Sequence, residues 1–324
     1  MNSSPPLSEQ QRIAQFVGSD PLPCRLKTRF IKTLRPLMSH AFSLVRRNPE
    51  LIYISDNIAR GGNWLYLWAR AYTDRAETPS CPSYLLHAQG MQPWIEEFPA
   101  LADLTTMPTE KFSFFQRRAS GLPNDVENHF FPGQLNAFIK DCLLSSEVFN
   151  HRLENIRSNV MENTVVLSIR RGVYYSVPFI NARYGIDTVG YVRQAVHLLQ
   201  QEVTPSNFVV VSDEPQWCAE NLAFLADIAP VSFDKGPGGM FEDLAKMATA
   251  RWLILTNTTF GYWGGYIAQA RSQAQVFVPD IHEYDPVADI SVTALGSARP
   301  RPHSASFTAV HHPEGKNWIT GQTQ

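Results

Sequence analysis

At 324 residues the chain is long enough for one large α/β domain or two smaller ones, and 44% hydrophobic against 18% charged residues supplies a sizeable core. Lys and Arg number 28 against 30 Asp and Glu, a net charge of -2, which excludes the basic face that long nucleic-acid contacts need but leaves room for a local anion pocket. Cys24, Cys81, Cys142 and Cys218 form no CxxC pair, so they indicate reduced thiols, mostly buried, rather than a zinc site or a disulfide framework.

The N-terminal stretch Met1 to Asp20 has no apolar core of a signal peptide, and no apolar run reaches membrane-spanning length. The simplest location is therefore the cytoplasm, free or peripheral to a membrane. Leu7 to Val17 has the spacing of a short amphipathic helix. Arg25 to Arg47 interleaves cations with Leu, Ile and Phe; it reads as helices packed on the first domain, or as a basic face for a membrane surface or acidic partner.

Leu51-Ile52-Tyr53-Ile54 predicts a short strand. Gly61-Gly62-Asn63 predicts a turn, and Trp64 to Arg75 a helix with Leu65, Trp68, Ala69 and Tyr72 on one face. Glycines before a helix let backbone N–H groups approach an anion at the helix start; a plain tight turn is the alternative. Residues 79–132 read as irregular connections with brief strands such as Tyr84-Leu85-Leu86, followed by helices over 133–144 and 146–162.

From residue 164 the pattern becomes an alternation of strands and helices. Strands are expected at Val165 to Ile169, Phe208 to Val211, Ile228 to Phe233, Trp252 to Thr256 and Gln275 to Val278. Helices are expected at Asp187 to Glu202, Glu214 to Leu225, Phe241 to Ala250 and Thr258 to Ala270, with Asp187 as N-cap of the first. Strands apolar throughout and alternating with helices predict a parallel sheet covered on both faces, with ligands outside the strands' carboxyl ends. The tail, 291–324, is rich in Ser, Pro, Thr and His and reads as loosely packed; His303, His311 and His312 have no convergent partners for a metal.

Three strand ends carry suggestive chemistry. The first is Arg170-Arg171-Gly172, an arginine fork suited to paired phosphate or carboxylate oxygens. The second is Ser212-Asp213-Glu214, an acceptor for ribose or base N–H donors, or a helix cap. The third is Asn257-Thr258-Thr259-Phe260-Gly261, a hydroxyl-rich helix start that can hold an anion without lysine, or again a cap. Together they describe a nucleotide diphosphate site.

These stretches carry a family resemblance. Ser168-Ile169-Arg170-Arg171-Gly172-Val173-Tyr174 resembles the H-x-R-R-G-D-Y motif of the α-1,2-fucosyltransferases, bacterial type. Val211-Ser212-Asp213-Glu214, with Trp217 and Asn221, resembles their S-D-D motif. Thr256-Asn257-Thr258-Thr259-Phe260-Gly261-Tyr262-Trp263-Gly264-Gly265-Tyr266 is similar to their N-S-T-F-S-W-W-G-A-W, and Gly62-Asn63-Trp64 to the end of their N-terminal G-G-L-G-N-Q loop. The sequence departs from the pattern at Ser168, Val173 and Trp64, where the family has histidine, aspartate and glutamine.

The resemblance implies an α/β fold of GT-B type, two Rossmann-like domains facing a cleft. Its expected segments are an N-terminal helical extension (1–50), an acceptor-side domain (51–162), a nucleotide-sugar-binding domain (163–290) and the tail. It implies GDP-fucose as donor, a glycan acceptor, inversion at the anomeric carbon, and no obligatory metal or cofactor. Arg170 would meet the β-phosphate and act catalytically, with Arg171 supporting the pocket. Asp213, beside Ser212, would read guanine or ribose. Thr258, Thr259 and the Phe260 backbone would hold the diphosphate, Asn257 and Gly261 would also belong to the donor-binding set, and Gly62 and Asn63 would close the cleft. No general base is assigned among Glu214, Asp243, Asp187 and Glu242, and the aromatics Trp94, Phe112 to Phe115 and Tyr175 are acceptor-stacking or core residues. The alternative reading is a catalytically silent GDP-sugar- or glycan-binding relative, or a transferase for another nucleotide sugar.

Overall fold

A computed structural model describes residues 49–55, 61–108, 115–120, 130, 133–157, 162–233, 239–285, 290–292 and 307–311. The expected helices at Leu7 to Val17 and Arg25 to Arg47, Cys24, Phe112 to Phe114, His303 and His312 lie outside the described residues.

The first sheet is wholly parallel. β1 (Leu51–Ile54), the strand expected from its apolar run, pairs with β2 (Ser83–Leu86) and with β4 (Arg117–Ser120), and β2 pairs with β3 (Thr105–Thr106). The order is β3-β2-β1-β4. Between β1 and β2 runs α1 (Gly61–Glu77). The glycine pair thus lies in the first turn of the helix, where both positions are crowded: a Cβ on Gly61 would sit 2.4 Å from the Trp94 ring. The stretch 79–132 is also more regular than its Pro and Phe content suggested. It includes α2 (Gln92–Glu97) and a 3₁₀ turn (Pro99–Leu104), each with proline in the first turn, where its missing N–H costs nothing. α3 (Gln134–Phe138), continued by a π turn (Ile139–Leu143), and α4 (Glu147–Arg157) follow.

The second sheet starts with β5 (Thr164–Ile169), whose six residues are all buried. Two short helices, α5 (Gly172–Ser176) and α6 (Pro178–Tyr184), leave its carboxyl end. Next come α7 (Thr188–Glu202), β6 (Asn207–Ser212), α8 (Pro215–Asn221), β7 (Val231–Phe233), α9 (Gly239–Thr249), β8 (Trp252–Leu255), α10 (Thr259–Ser272) and β9 (Gln275–Pro279). Asp187 caps α7 as expected, its carboxylate accepting from Gly190 N at 2.9 Å. The elements end with the hairpin of β10 (Glu283–Asp285) and β11 (Ile290–Val292) and with β12 (Thr308–Val310).

Every pairing in this sheet is parallel, and its order is β12-β9-β8-β5-β6-β7. That is the doubly wound order in which the chain reverses direction between its first and fourth strands, here β5 and β8. Among the described residues of the tail, β12 corrects the reading of it as loosely packed. Residues 307–311 add the edge strand beside β9, and Phe307 is buried and stacks on Tyr266 at 5.2 Å. Their polar neighbours concealed a three-residue strand.

β5 alternates between two cores. Val165, Leu167 and Ile169 face a cluster with Tyr191, Val192, Val196 and Leu199 of α7. Val166 faces the other way, into a cluster that joins Leu253, Met247 and Trp263 to Leu65, Trp68, Trp94 and Phe138 of the first half. One apolar core therefore spans both sheets.

Candidate active site

β8, β5 and β6 are consecutive neighbours in the sheet, so the three sequence motifs emerge side by side at its carboxyl edge. The reversal point lies between the arginine strand and the threonine strand. At their junction Thr256 Oγ1 accepts from Arg170 N at 3.0 Å and donates to Ser168 O at 3.1 Å.

The two arginines part company here. Arg170 points outward with its side chain 40% exposed, and its Nε meets Asp213 Oδ2 at 3.1 Å. Arg171 turns inward, 12% exposed, with Nε on Glu214 Oε2 at 3.2 Å. Its guanidinium carbon lies 3.5 Å from the centre of the Trp217 ring and 3.8 Å from that of Tyr175. Asp213 also accepts a hydrogen bond through its other oxygen, from Arg171 N at 2.9 Å. Gly172, at φ +22°, makes this possible: a Cβ there would stand 2.4 Å from Asp213 Oδ2. Ser212 Oγ accepts from Glu214 N at 3.0 Å, bracing the turn into α8.

On the other side, Thr258 is the N-cap of α10, its hydroxyl accepting from Gly261 N at 3.1 Å. Thr259 and Phe260 occupy the half-buried first turn. Gly62 lies against them: a Cβ on it would be 2.6 Å from Phe260 N and 2.7 Å from Thr259 Oγ1, and Trp263 Nε1 donates to Gly62 O at 2.8 Å. Two long helices thus begin side by side, with half-buried Asn63 in the first turn of α1. Paired helix starts point unpaired N–H groups and positive dipole ends at one place.

Asn257, expected among the donor-binding residues, also has a structural role. It is buried, and its Nδ2 donates to Tyr184 O at 2.8 Å and His282 O at 2.7 Å, so both amide protons clamp the end of α6 and the loop after β9. A layer of rings sits beside it. Tyr174 stacks on Tyr184 at 5.1 Å, and the Tyr262 hydroxyl meets His282 Nδ1 at 3.0 Å. Burial, partly opposed by Arg170, pushes the Tyr174 phenol up to about 12.

Of the candidate bases, Glu214 pairs with Arg171 at the site itself, whereas Asp187 caps α7 and Glu242 pairs with Lys246 at 2.9 Å. Trp94 is core, 5.0 Å from Phe241. Sequence reasoning missed Gly172 as a requirement of Asp213, and missed Tyr175 and Trp217 as the faces around Arg171. The signals were present as a glycine following the arginines and an aromatic four residues on, but the pairing depends on the β5–β6 contact. Among the described residues no group of three or more His, Cys, Asp or Glu is placed to hold a metal ion, and no helix is long and apolar enough to cross a membrane. Cys142 and Cys218 are buried free thiols and Cys81 is half-buried.

The sequence model of glycosyl transferase family 11 matches residues 100–280. A stretch of 118 residues is 29% identical to galactoside α-(1,2)-fucosyltransferase 1 of Saimiri sciureus, covering 36% of this chain and 32% of that protein. The Homo sapiens protein of the same name is 28% identical over 104 residues, 32% of this chain and 28% of its own length. The chain thus spans about a third of the length of the curated relatives it matches. Among solved structures, POFUT1 in complex with GDP aligns at a TM-score of 0.41 and 10% identity, covering 71% of this chain and 99% of that one. The Escherichia coli heptosyltransferase WaaC with ADP aligns at 0.40 and 10%, covering 84% and 96%.

Proposed function

The chain belongs to glycosyl transferase family 11, and from that membership we propose that it is an inverting fucosyltransferase, moving L-fucose from GDP-fucose to a glycan hydroxyl in α-1,2 linkage. The name shared by its relatives supports both sugar and linkage and offers a galactoside as the first acceptor to try. The observation that carries the reading is the convergence, at three neighbouring strand ends, of Arg170, Asp213 and the start of α10.

In this reading the two halves form a GT-B arrangement, with the diphosphate at the reversal point between β5 and β8. Asp213 holds Arg170 by Nε, which leaves the Nη edge of the fork for two phosphate oxygens. Thr259, Phe260 and Gly62–Asn63 bring the two helix starts to the same charge. As the glycosidic bond lengthens, GDP gains negative charge and the sugar becomes cation-like. Groups fixed in advance stabilise that charge more than the ground state, and losing one such donor costs about 2.7–4 kcal/mol of barrier. The binding needs no metal or other cofactor, and its partners are the nucleotide sugar and the glycan, with no nucleic acid. The location consistent with this donor is the cytoplasm, free or at a membrane surface.

Calorimetry with GDP, UDP and dTDP tests the donor class: GDP is expected to bind in the micromolar range, and no binding at that level ends the proposal. Arg170→Lys is expected to lower turnover at least a hundredfold, because one ammonium cannot replace a planar fork; unchanged turnover removes Arg170 from the chemistry. One observation favours a second reading, a silent GDP-sugar-binding relative: Val173 stands in α5 where the family has an acid. That reading expects GDP binding with no GDP release from GDP-fucose.

A further inference from the structure

We infer that Arg171 is a positioning residue that never touches the donor: clamped between Trp217 and Tyr175 and paired with Glu214, it fixes the loop carrying Asp213 and, through Asp213, the orientation of Arg170. The inference rests on the transferase reading for its kinetic consequences but not for its structural ones.

Two adjacent arginines are usually read as one cationic patch. Here their surroundings are opposite. Arg170 is 40% exposed and ion-paired through Nε alone, whereas Arg171 is 12% exposed with its guanidinium carbon 3.5 and 3.8 Å from the centres of two rings. Two rings this close to one guanidinium leave little of it to solvent, and its Nε is occupied by Glu214 at 3.2 Å.

The clamp joins three segments. Tyr175 belongs to α5 and is itself anchored, its hydroxyl donating to Ile186 O at 2.7 Å and meeting Thr188 Oγ1 at 2.8 Å. Trp217 belongs to α8. Glu214 directly follows Asp213, whose two oxygens meet Arg170 Nε and Arg171 N. The Arg171 side chain is therefore the pin between the loops leaving β5 and β6. Without it Asp213 keeps its backbone donor but loses the restraint on its chain, and Arg170 loses a fixed partner.

The experiment has two arms. In protein labelled with ¹⁵N-arginine, the Arg170 Nε–H resonance, assigned with Arg170→Lys, is expected to move to the position of a solvent-exposed arginine in Arg171→Met, while backbone amides outside these loops stay in place. An unmoved resonance overturns the inference, whether or not the protein proves to be a transferase. In the kinetic arm, GDP release from GDP-fucose is expected to fall about tenfold or more in Arg171→Met and in Asp213→Asn, and the double variant to lose little beyond the worse single one, because residues acting through one chain of contacts are not additive. Additive losses overturn the inference, since they would mean that Arg171 reaches the donor by itself. No GDP release from the unaltered protein removes the transferase reading and leaves the resonance to decide this one.

Discussion

At the residue scale the site turns on a missing side chain. Gly172 follows the two arginines at φ +22°, and the space its side chain would fill is taken by an Asp213 oxygen 2.4 Å away. Only glycine combines that backbone with that neighbour. Gly172→Ala is expected to cost about 1–3 kcal/mol of stability from backbone strain and, by displacing Asp213, to reduce GDP affinity at least tenfold. Calorimetry beside urea unfolding separates the two effects; unchanged affinity would show that Asp213 can yield without disturbing Arg170. This residue was legible in the sequence only as part of a motif. Its spacing gave no hint of Asp213, because the contact exists only once β5 and β6 pair. The same holds for Asn257, whose place in a hydroxyl-rich stretch gave no sign that its amide clamps two carbonyls.

At the scale of elements, α6 is latched across the sheet edge. Arg183 Nε meets Glu283 Oε2 at 2.7 Å, one hundred residues further along the chain. Burial works against the charge on Glu283, but the Arg183 hydrogen bond and charge, with help from Tyr184 and His282, outweigh it and hold the carboxyl below its ordinary value of 4.5. A depressed carboxyl stabilises the fold above the unfolded pKa, and that contribution drains away as pH falls through the folded one. Thermal midpoints between about pH 6 and pH 3 should therefore fall less steeply in Glu283→Gln than in the unaltered protein; parallel curves would show that the latch contributes nothing. The sheet strands behind this latch were readable, since β5, β6, β8 and β9 are continuous apolar runs and parallel strands buried on both faces must be. The capped helix α7 was equally plain. α5 and α6 were not, because each is too short for a periodic face and stands only through contacts such as Tyr174 on Tyr184. β12 was hidden for a similar reason, its three residues owing their strand state to the open edge of β9.

At the scale of the whole molecule, one core joins the halves. Leu65 and Trp68 of α1 share a cluster with Met247, Leu253 and Trp263 of the second sheet and its helices. A core continuous across a proposed interdomain boundary makes the halves unfold together. Gly62→Ala tests this, because its Cβ would press on Phe260 N at 2.6 Å and push α1 away from α10. Overpacking of this kind costs about 1–3 kcal/mol, so one transition at a lower urea midpoint is expected; two separated transitions would show independent halves. The parallel order of the second sheet has a further consequence for synthesis. β5 is made first but lies in the middle, and the helix start that faces it comes some ninety residues later, at Thr259. A chain still growing on the ribosome can present Arg170 long before it has a wall to set opposite, so the proposed nucleotide capture would be a late event in synthesis.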